Sequence, residues 1–243
     1  MKIDIITLFP ELIETYRTNG IIGRGIENNL LQIDYVNLRD FSEDKHRKVD
    51  DYPYGGGPGM LLKPEPLFNA ITSLKKDNSY IVYLSPKGNV FNQQKAKEFA
   101  EYEHLILIVG HYEGIDQRIV DMFVDEEISV GDYVLTSGEL PALIMADAIG
   151  RLIPGVLGSE ESIVEESHSG VLLEYPQYTR PEEFEGRRVP DIILSGNHQK
   201  IKAWRELKSI ELTKERRADK LAGVSETALE EQIGKLNKII NKK

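Results

Sequence analysis

The chain has 243 residues, enough for one large domain or a domain with a small appendage, and 40% of them are hydrophobic. It contains no cysteine, which excludes disulfides and thiolate chemistry, and its five histidines (His46, His104, His111, His168, His198) lack metal-ligand spacing, so no metal site is expected from the residues alone. A net charge of −10 argues against a generic nucleic-acid binder, yet residues 200–243 carry 12 Lys and Arg against 7 Asp and Glu, while residues 1–199 carry 18 against 33. This basic end reads equally as a polyanion-binding tail or as a solvated amphipathic helix.

The N-terminus enters a strand pattern at once, "KIDIITL" (2–8), with no signal-peptide layout, and no apolar run reaches the roughly 20 residues of a membrane span. A cytoplasmic protein without membrane contact is expected. Pro10 suits the first position of a helix, "PELIETY". "LQIDYVNL" (31–38) alternates like a half-buried strand, and "YIVYLS" (80–85) and "LILIV" (105–109) are the continuous apolar runs of parallel strands covered on both faces. Between them lies a helix, "NQQKAKEFAEY", with Asn92 as its N-cap. A short helix, "IDQRIVDMF", a strand, "EEISV" (126–130), and an apolar helix (139–153) stopped by Pro154 and Gly155 follow. Strands interleaved with helices predict an α/β fold on a parallel sheet. Residues 159–170, "SEESIVEESHSG", are polar and aperiodic, which predicts a mobile linker between a domain of residues 1–158 and a helical one of residues 171–243. In the latter, Asn197 caps a helix bearing Ile201, Trp204 and Leu207, and Thr227 with Glu230 fits a capping box.

In open parallel sheets, ligands bind beyond the carboxyl ends of the strands. Three consecutive strands here end in glycine-bearing loops: "SPKG", "GHYEG" and "GDYVLTSG". One such loop is usually only a turn, whereas three on one edge suggest a composite pocket. The first strand runs into "FPEL", so the dinucleotide fingerprint is missing, and Lys63 after the glycines of residues 55–59 does not fit a phosphate loop. Glu113 in its turn and Arg151 at the end of the apolar helix are each readable as structural, and Glu165 and Glu166 as linker acids.

Six blocks in order, "DDYPYGGGPGM", "GHYEGIDQR", "SVGDYVLTSGELPA", "RLIPGVLG", "YPQYTRP" and "VPDIILSGNH…WR", resemble the bacterial tRNA (guanine-N1)-methyltransferases along essentially the whole chain. The resemblance implies a SPOUT fold with a deep trefoil knot, which topology rules alone disfavour, and a small all-α C-terminal domain that binds tRNA. It implies S-adenosylmethionine (AdoMet) as methyl donor and a homodimer whose active sites are shared between subunits. By motif, the cofactor pocket comprises Ser85, Pro86, Gly110, Tyr112, Glu113, Gly114, Val130, Gly131, Asp132, Tyr133, Val134, Leu135, Gly138 and Pro141. The catalytic residues are Glu166, contributed by the other subunit, and Arg151, with Glu113 on the reaction side. Asp50 and Gly59 match the segment that reads the guanosine. Mg²⁺, reported for the family, would sit near Glu113 and Glu166.

The implied chemistry is the methylation of guanine N1 in the nucleotide just 3′ of the anticodon, position 37. N1 is protonated at neutral pH, so a base must take that proton as the new bond forms, and a guanidinium can stabilise charge developing on O6. Two residues depart from the family pattern: Glu166 stands where Asp is usual, and Ser137 where Gly is common, narrowing the turn beside the cofactor. A catalytically silent tRNA-binding relative and an unrelated α/β nucleotide enzyme are the alternative readings, the latter disfavoured by the missing fingerprints.

Overall fold

The computed structural model describes residues 1–158 and 166–242. The chain divides into two compact units, Met1–Glu160 and Glu161–Lys243. Of the expected linker, residues 159–165 lie outside the described residues.

Among the described residues, the first unit is built on five strands: β1 (Lys2–Thr7), β2 (Gln32–Asn37), β5 (Ser79–Val90), β6 (His104–Val109) and β7 (Glu126–Ser129). They pair in the order β2-β1-β6-β5-β7, and every pairing is parallel. Two short strands, β3 (Asp50–Asp51) and β4 (Leu61–Leu62), form a separate antiparallel ladder. The helices are α1 (Pro10–Arg17), α2 (Gly20–Glu27), α3 (Pro64–Leu74), α4 (Gln93–Ala100), α5 (Gln117–Phe123) and α6 (Glu139–Gly150).

The two-residue repeat of a strand divides the apolar side chains between the faces of the sheet. Ile3, Ile5, Leu105, Leu107 and Val109 pack on one side with α4 and α6, through Phe99, Met145 and Ile149. Ile6, Ile106 and Ile108 pack on the other with α3 and α5, through Leu67, Ile71 and Ile119. Every residue of β6 is therefore buried, as its unbroken apolar run requires. Each such Ile or Leu contributes about 1.5–3 kcal/mol by leaving water. The strand's one ionisable side chain, His104, is matched by partners: its Nε2 lies 2.8 Å from Asp4 Oδ2, and its Nδ1 lies 2.7 Å from Ser79 Oγ.

Local signals locate most of the boundaries. Asn92 caps α4 by accepting from the Lys95 N–H at 2.9 Å, and Pro10 opens α1. The apolar helix ends at Gly150, three residues earlier than its sequence pattern extends, and a turn leads to Pro154. Helix α2, "GIIGRGIE", escapes a propensity reading because glycine disfavours helix. Its glycines serve proximity: a Cβ on Gly23 would lie 2.9 Å from the Thr18 carbonyl carbon, and one on Gly25 3.1 Å from Val156.

The second unit is largely helical, with helices Asp191–Leu194, His198–Arg216 and Glu226–Asn241 and one minimal ladder, Glu183–Phe184 against Arg187–Arg188. Its core gathers Ala203, Leu207, Ile210 and Leu236. Asn197 caps its helix as expected, accepting from the Lys200 N–H at 3.1 Å. The expected Thr227–Glu230 capping box does not form: Ser225 is the N-cap, accepting from the Ala228 N–H, and Thr227 falls inside the helix it was expected to start.

Candidate active site

The three glycine-bearing loops meet beyond the carboxyl ends of β5, β6 and β7 and enclose a cleft of about 280 Å³. The first loop is an excursion of β5. Leu84 and Asn89 both pair with Ile128 of β7, so residues 85–88 leave the strand and return to the same partner, carrying Ser85 and Pro86 to the lip. From the second loop Gly110, Tyr112, Glu113 and Gly114 line the cleft, and from the third Val130, Tyr133, Val134, Leu135 and Gly138, followed by Pro141 of α6. Gly131 and Asp132 are not part of the lining.

Why these positions are glycine follows from the contacts. A Cβ on Gly110 or Gly114 would approach the Tyr83 hydroxyl to 3.1 and 3.0 Å, and Gly114 has φ +120°. Tyr83 is buried, which with the nearby Glu127 pushes its phenol pKa up and keeps it neutral beneath the loop. Gly138 N–H donates to the Gly110 carbonyl at 3.1 Å and fastens the third loop to the second. Tyr112 adopts φ +57°, a conformation that costs a side-chain-bearing residue energy, as is common where a site over-determines its backbone.

Glu113 is exposed at the mouth, and its N–H donates to the Met60 carbonyl at 3.0 Å. Gly59, at φ +85°, packs so closely that a Cβ there would lie 2.4 Å from Glu113 Cγ. The glycine-rich segment is thus held against Glu113, with the β3–β4 ladder as its stem. Leu62 extends that stem by pairing with Ile115, and Asp50 sits at its base opposite Leu62. Tyr52 and Tyr54, on the same segment, are strongly exposed.

Arg151 is not brought to this cleft. It caps the carboxyl end of α6, whereas the cleft uses the amino end; twelve helical residues at about 1.5 Å each separate the two by roughly 18 Å. Glu166 belongs to the second unit and lines a groove there with Val171, Leu173, Tyr175, Lys202 and Arg205, whose guanidinium lies 4.7 Å from the Tyr175 ring centre. Glu165 lies outside the described residues. Among the described residues no group of three His, Asp or Glu side chains converges to hold a metal ion. The cleft does fit a nucleoside: Leu84, Ile128 and Leu135 offer apolar walls, and glycine main chain comes close on both sides.

Sequence reading missed His111, a buried residue of the cleft lining, and Glu139, buried behind it, where His111 Nε2 lies 2.6 Å from Glu139 Oε1. The signal was present: an acid heads a helix, "ELPALIMADAIG", that is otherwise apolar save for one Asp.

Comparison with known proteins agrees with this geometry. The family model described as tRNA (Guanine-1)-methyltransferase TrmD matches residues 1–222. A tRNA (guanine-N(1)-)-methyltransferase of Clostridioides difficile is 54% identical over 223 residues, covering 90% of this chain and 96% of the relative. Proteins of the same name from Ruminiclostridium cellulolyticum and Dictyoglomus turgidum are 51% and 52% identical, covering 90% and 93% of this chain and 95% and 92% of their own. Among the described residues, no helix is long and apolar enough to cross a membrane. The chain belongs to the TrmD tRNA (guanine-1)-methyltransferase family.

Proposed function

We propose that the protein transfers the methyl group of AdoMet to N1 of the guanosine at tRNA position 37. The observation that carries this reading is the three-loop cleft, whose glycine walls admit a nucleoside and whose mouth holds Glu113 against the guanosine-reading segment. Bound AdoMet supplies an electrophilic methyl carbon on a sulfonium. Guanine N1 attacks that carbon as the carbon–sulfur bond breaks, and the N1 proton passes to Glu166. Arg151 stabilises the charge that develops on O6. A carboxylate with a pKa near 4.3 is a weak base, and lowering the cost of that charge makes it sufficient. Asp50 and Gly59 position the guanosine, and Ser85, Pro86 and the loops of residues 110–114 and 130–138 hold the donor in line.

The same reading makes the enzyme a homodimer with a knotted sheet. The roughly 18 Å between the cleft and Arg151 along one helix supports a site completed by a second copy. An antiparallel partner helix would bring the partner's Arg151 to the cleft, and the family resemblance adds Glu166 of the partner subunit. Helix α6 leaves Leu140 and Ile144 exposed, and the neighbouring α1–α2 region leaves Phe9, Leu12 and Ile21 exposed, an apolar surface suited to such pairing. The helical second unit, with Lys202, Arg205, Lys214 and Arg216 exposed, offers charge to tRNA phosphates.

The test is methyl transfer from labelled AdoMet to unmodified tRNA, compared with the same tRNA carrying adenosine at position 37. Label is expected only with guanosine. Glu166→Gln should lower transfer by about 10²-fold or more while AdoMet still binds. Absence of transfer, or transfer indifferent to the base, would overturn the reading.

A further inference from the structure

The first residue of α6 is a carboxylate that the reaction above does not use. Glu139 is wholly buried, with 0% of its surface exposed. Its Oε1 accepts from His111 Nε2 at 2.6 Å and from the Thr7 hydroxyl at 2.7 Å. Thr7 Oγ1 accepts in turn from the Phe9 N–H at 2.9 Å. The Ser137 hydroxyl stands beside the same carboxylate, while Oε2 has no hydrogen-bond partner of full geometry among the described residues. Three separate segments therefore meet at one group: the end of β1, the loop after β6 and the head of α6.

A buried carboxylate is costly unless its lone pairs are met. Against well-packed apolar residues, even a satisfied buried pair seldom gains stability, so stability is a weak reason for this arrangement. Its position offers a better one. His111 and Ser137 both line the cleft, on the second and third loops respectively, and Glu139 sits behind them. The main chains of those loops are joined by the Gly138–Gly110 hydrogen bond, and the carboxylate adds side-chain contacts from the same two loops. Ser137 thereby adds a hydroxyl next to the acid.

We propose that Glu139 is a positioning residue for the methyl donor: through His111 and Ser137 it fixes the spacing of the two loops that grip AdoMet. This rests on the AdoMet-binding reading above. The test is calorimetric titration of the full-length protein with AdoMet, together with steady-state kinetics, for wild type, Glu139→Gln, His111→Gln and the double variant. Each single variant is expected to raise the AdoMet Kd and KM about tenfold, with kcat at saturating AdoMet and the KM for tRNA changed less than about threefold. The double variant should cost little beyond either single, since both break the same tie. Folded Glu139→Gln with wild-type AdoMet affinity overturns the proposal, as does an equal loss of AdoMet and tRNA affinity, which would mark a general structural role. If Glu139→Gln does not fold, His111→Gln and Ser137→Gly decide: a weakened AdoMet Kd in both supports the tie, and an unchanged Kd in both overturns it. Wild-type protein that binds no AdoMet overturns the functional reading along with this proposal, whereas wild-type binding beside unaltered variants overturns this proposal alone.

Discussion

Replacing Gly138 by alanine isolates the steric role of the cleft wall. The backbone there has φ −87° and ψ 0°, which alanine adopts, so the cost is one of space. The added Cβ would stand 3.1 Å from the Gly110 nitrogen, 3.1 Å from Val109 Cγ1 and 3.4 Å from the Gly110 oxygen. Each of the first two is short of ordinary contact by a few tenths of an ångström. Neither neighbour yields easily, one being main chain and the other a β-branched side chain stiff about χ1. Relief must part the second and third loops and strain the Gly138–Gly110 hydrogen bond, at roughly 1–3 kcal/mol for overpacking of this kind. Because both glycines line the cleft, the displacement falls where AdoMet would lie. If about 1–2 kcal/mol of it appears in binding, the AdoMet Kd rises roughly 5- to 30-fold. Calorimetric titration measures this, with Gly234→Ala in the second unit as control, since a Cβ there meets nothing within 4 Å. A Gly138→Ala protein with wild-type Kd and melting temperature would refute the reasoning.

Gly88→Ala should be harsher, because its Cβ would fall 2.4 Å from both the Glu127 carbonyl carbon and the Ile128 nitrogen, and no rotamer change moves main chain. A loss of about 3 kcal/mol or more is expected, or at roughly 2–4 °C per kcal/mol a fall of about 6–12 °C in Tm, and an unchanged thermal melt would contradict it. Glu139 should also shape acid stability. Burial alone would push its pKa up, but the hydrogen bonds from His111 and Thr7, with the Ser137 hydroxyl beside the carboxylate, outweigh burial and hold the carboxyl below its usual range. Its contribution is therefore fully present above the unfolded-state value of about 4.3 and is lost as pH falls through the lower folded value. Denaturant unfolding between pH 3 and 6 should show wild type losing stability more steeply below about pH 4.3 than Glu139→Gln, and parallel curves would remove the carboxylate from that account.

The parallel sheet was legible because residues 105–109 of β6 and 80–84 of β5 are apolar without interruption, a pattern that only burial on both faces tolerates. The cleft was legible because glycines recur after three successive strands. What escaped depended on tertiary contact. Helix α2 is written in glycines that only its packing against Thr18 and Val156 explains. The cap at Ser225 won over Thr227 because the chain enters that helix two residues before the capping-box pattern begins. Residues of β5 beyond Ser85 resume pairing only because β7 receives them after the excursion. His111 and Glu139 are 28 residues apart, and nothing local ties a loop histidine to a helix acid.

The excursion of β5 has a consequence for redesign. Since residues 85–88 depart from and return to the same partner, Ile128, the sheet on either side does not register how many residues the detour contains. An extra residue between Pro86 and Lys87 would lengthen the lip without sliding any side chain of β5 or β7 to the opposite face, provided Gly88 keeps its place against the Glu127 main chain. Most α/β clefts cannot be widened from within a strand, because a one-residue insertion there inverts everything downstream. Here the aperture of the cleft is separable from the scaffold, and on the AdoMet reading proposed above lip length becomes the dial for admitting sulfonium donors with alkyl groups larger than methyl.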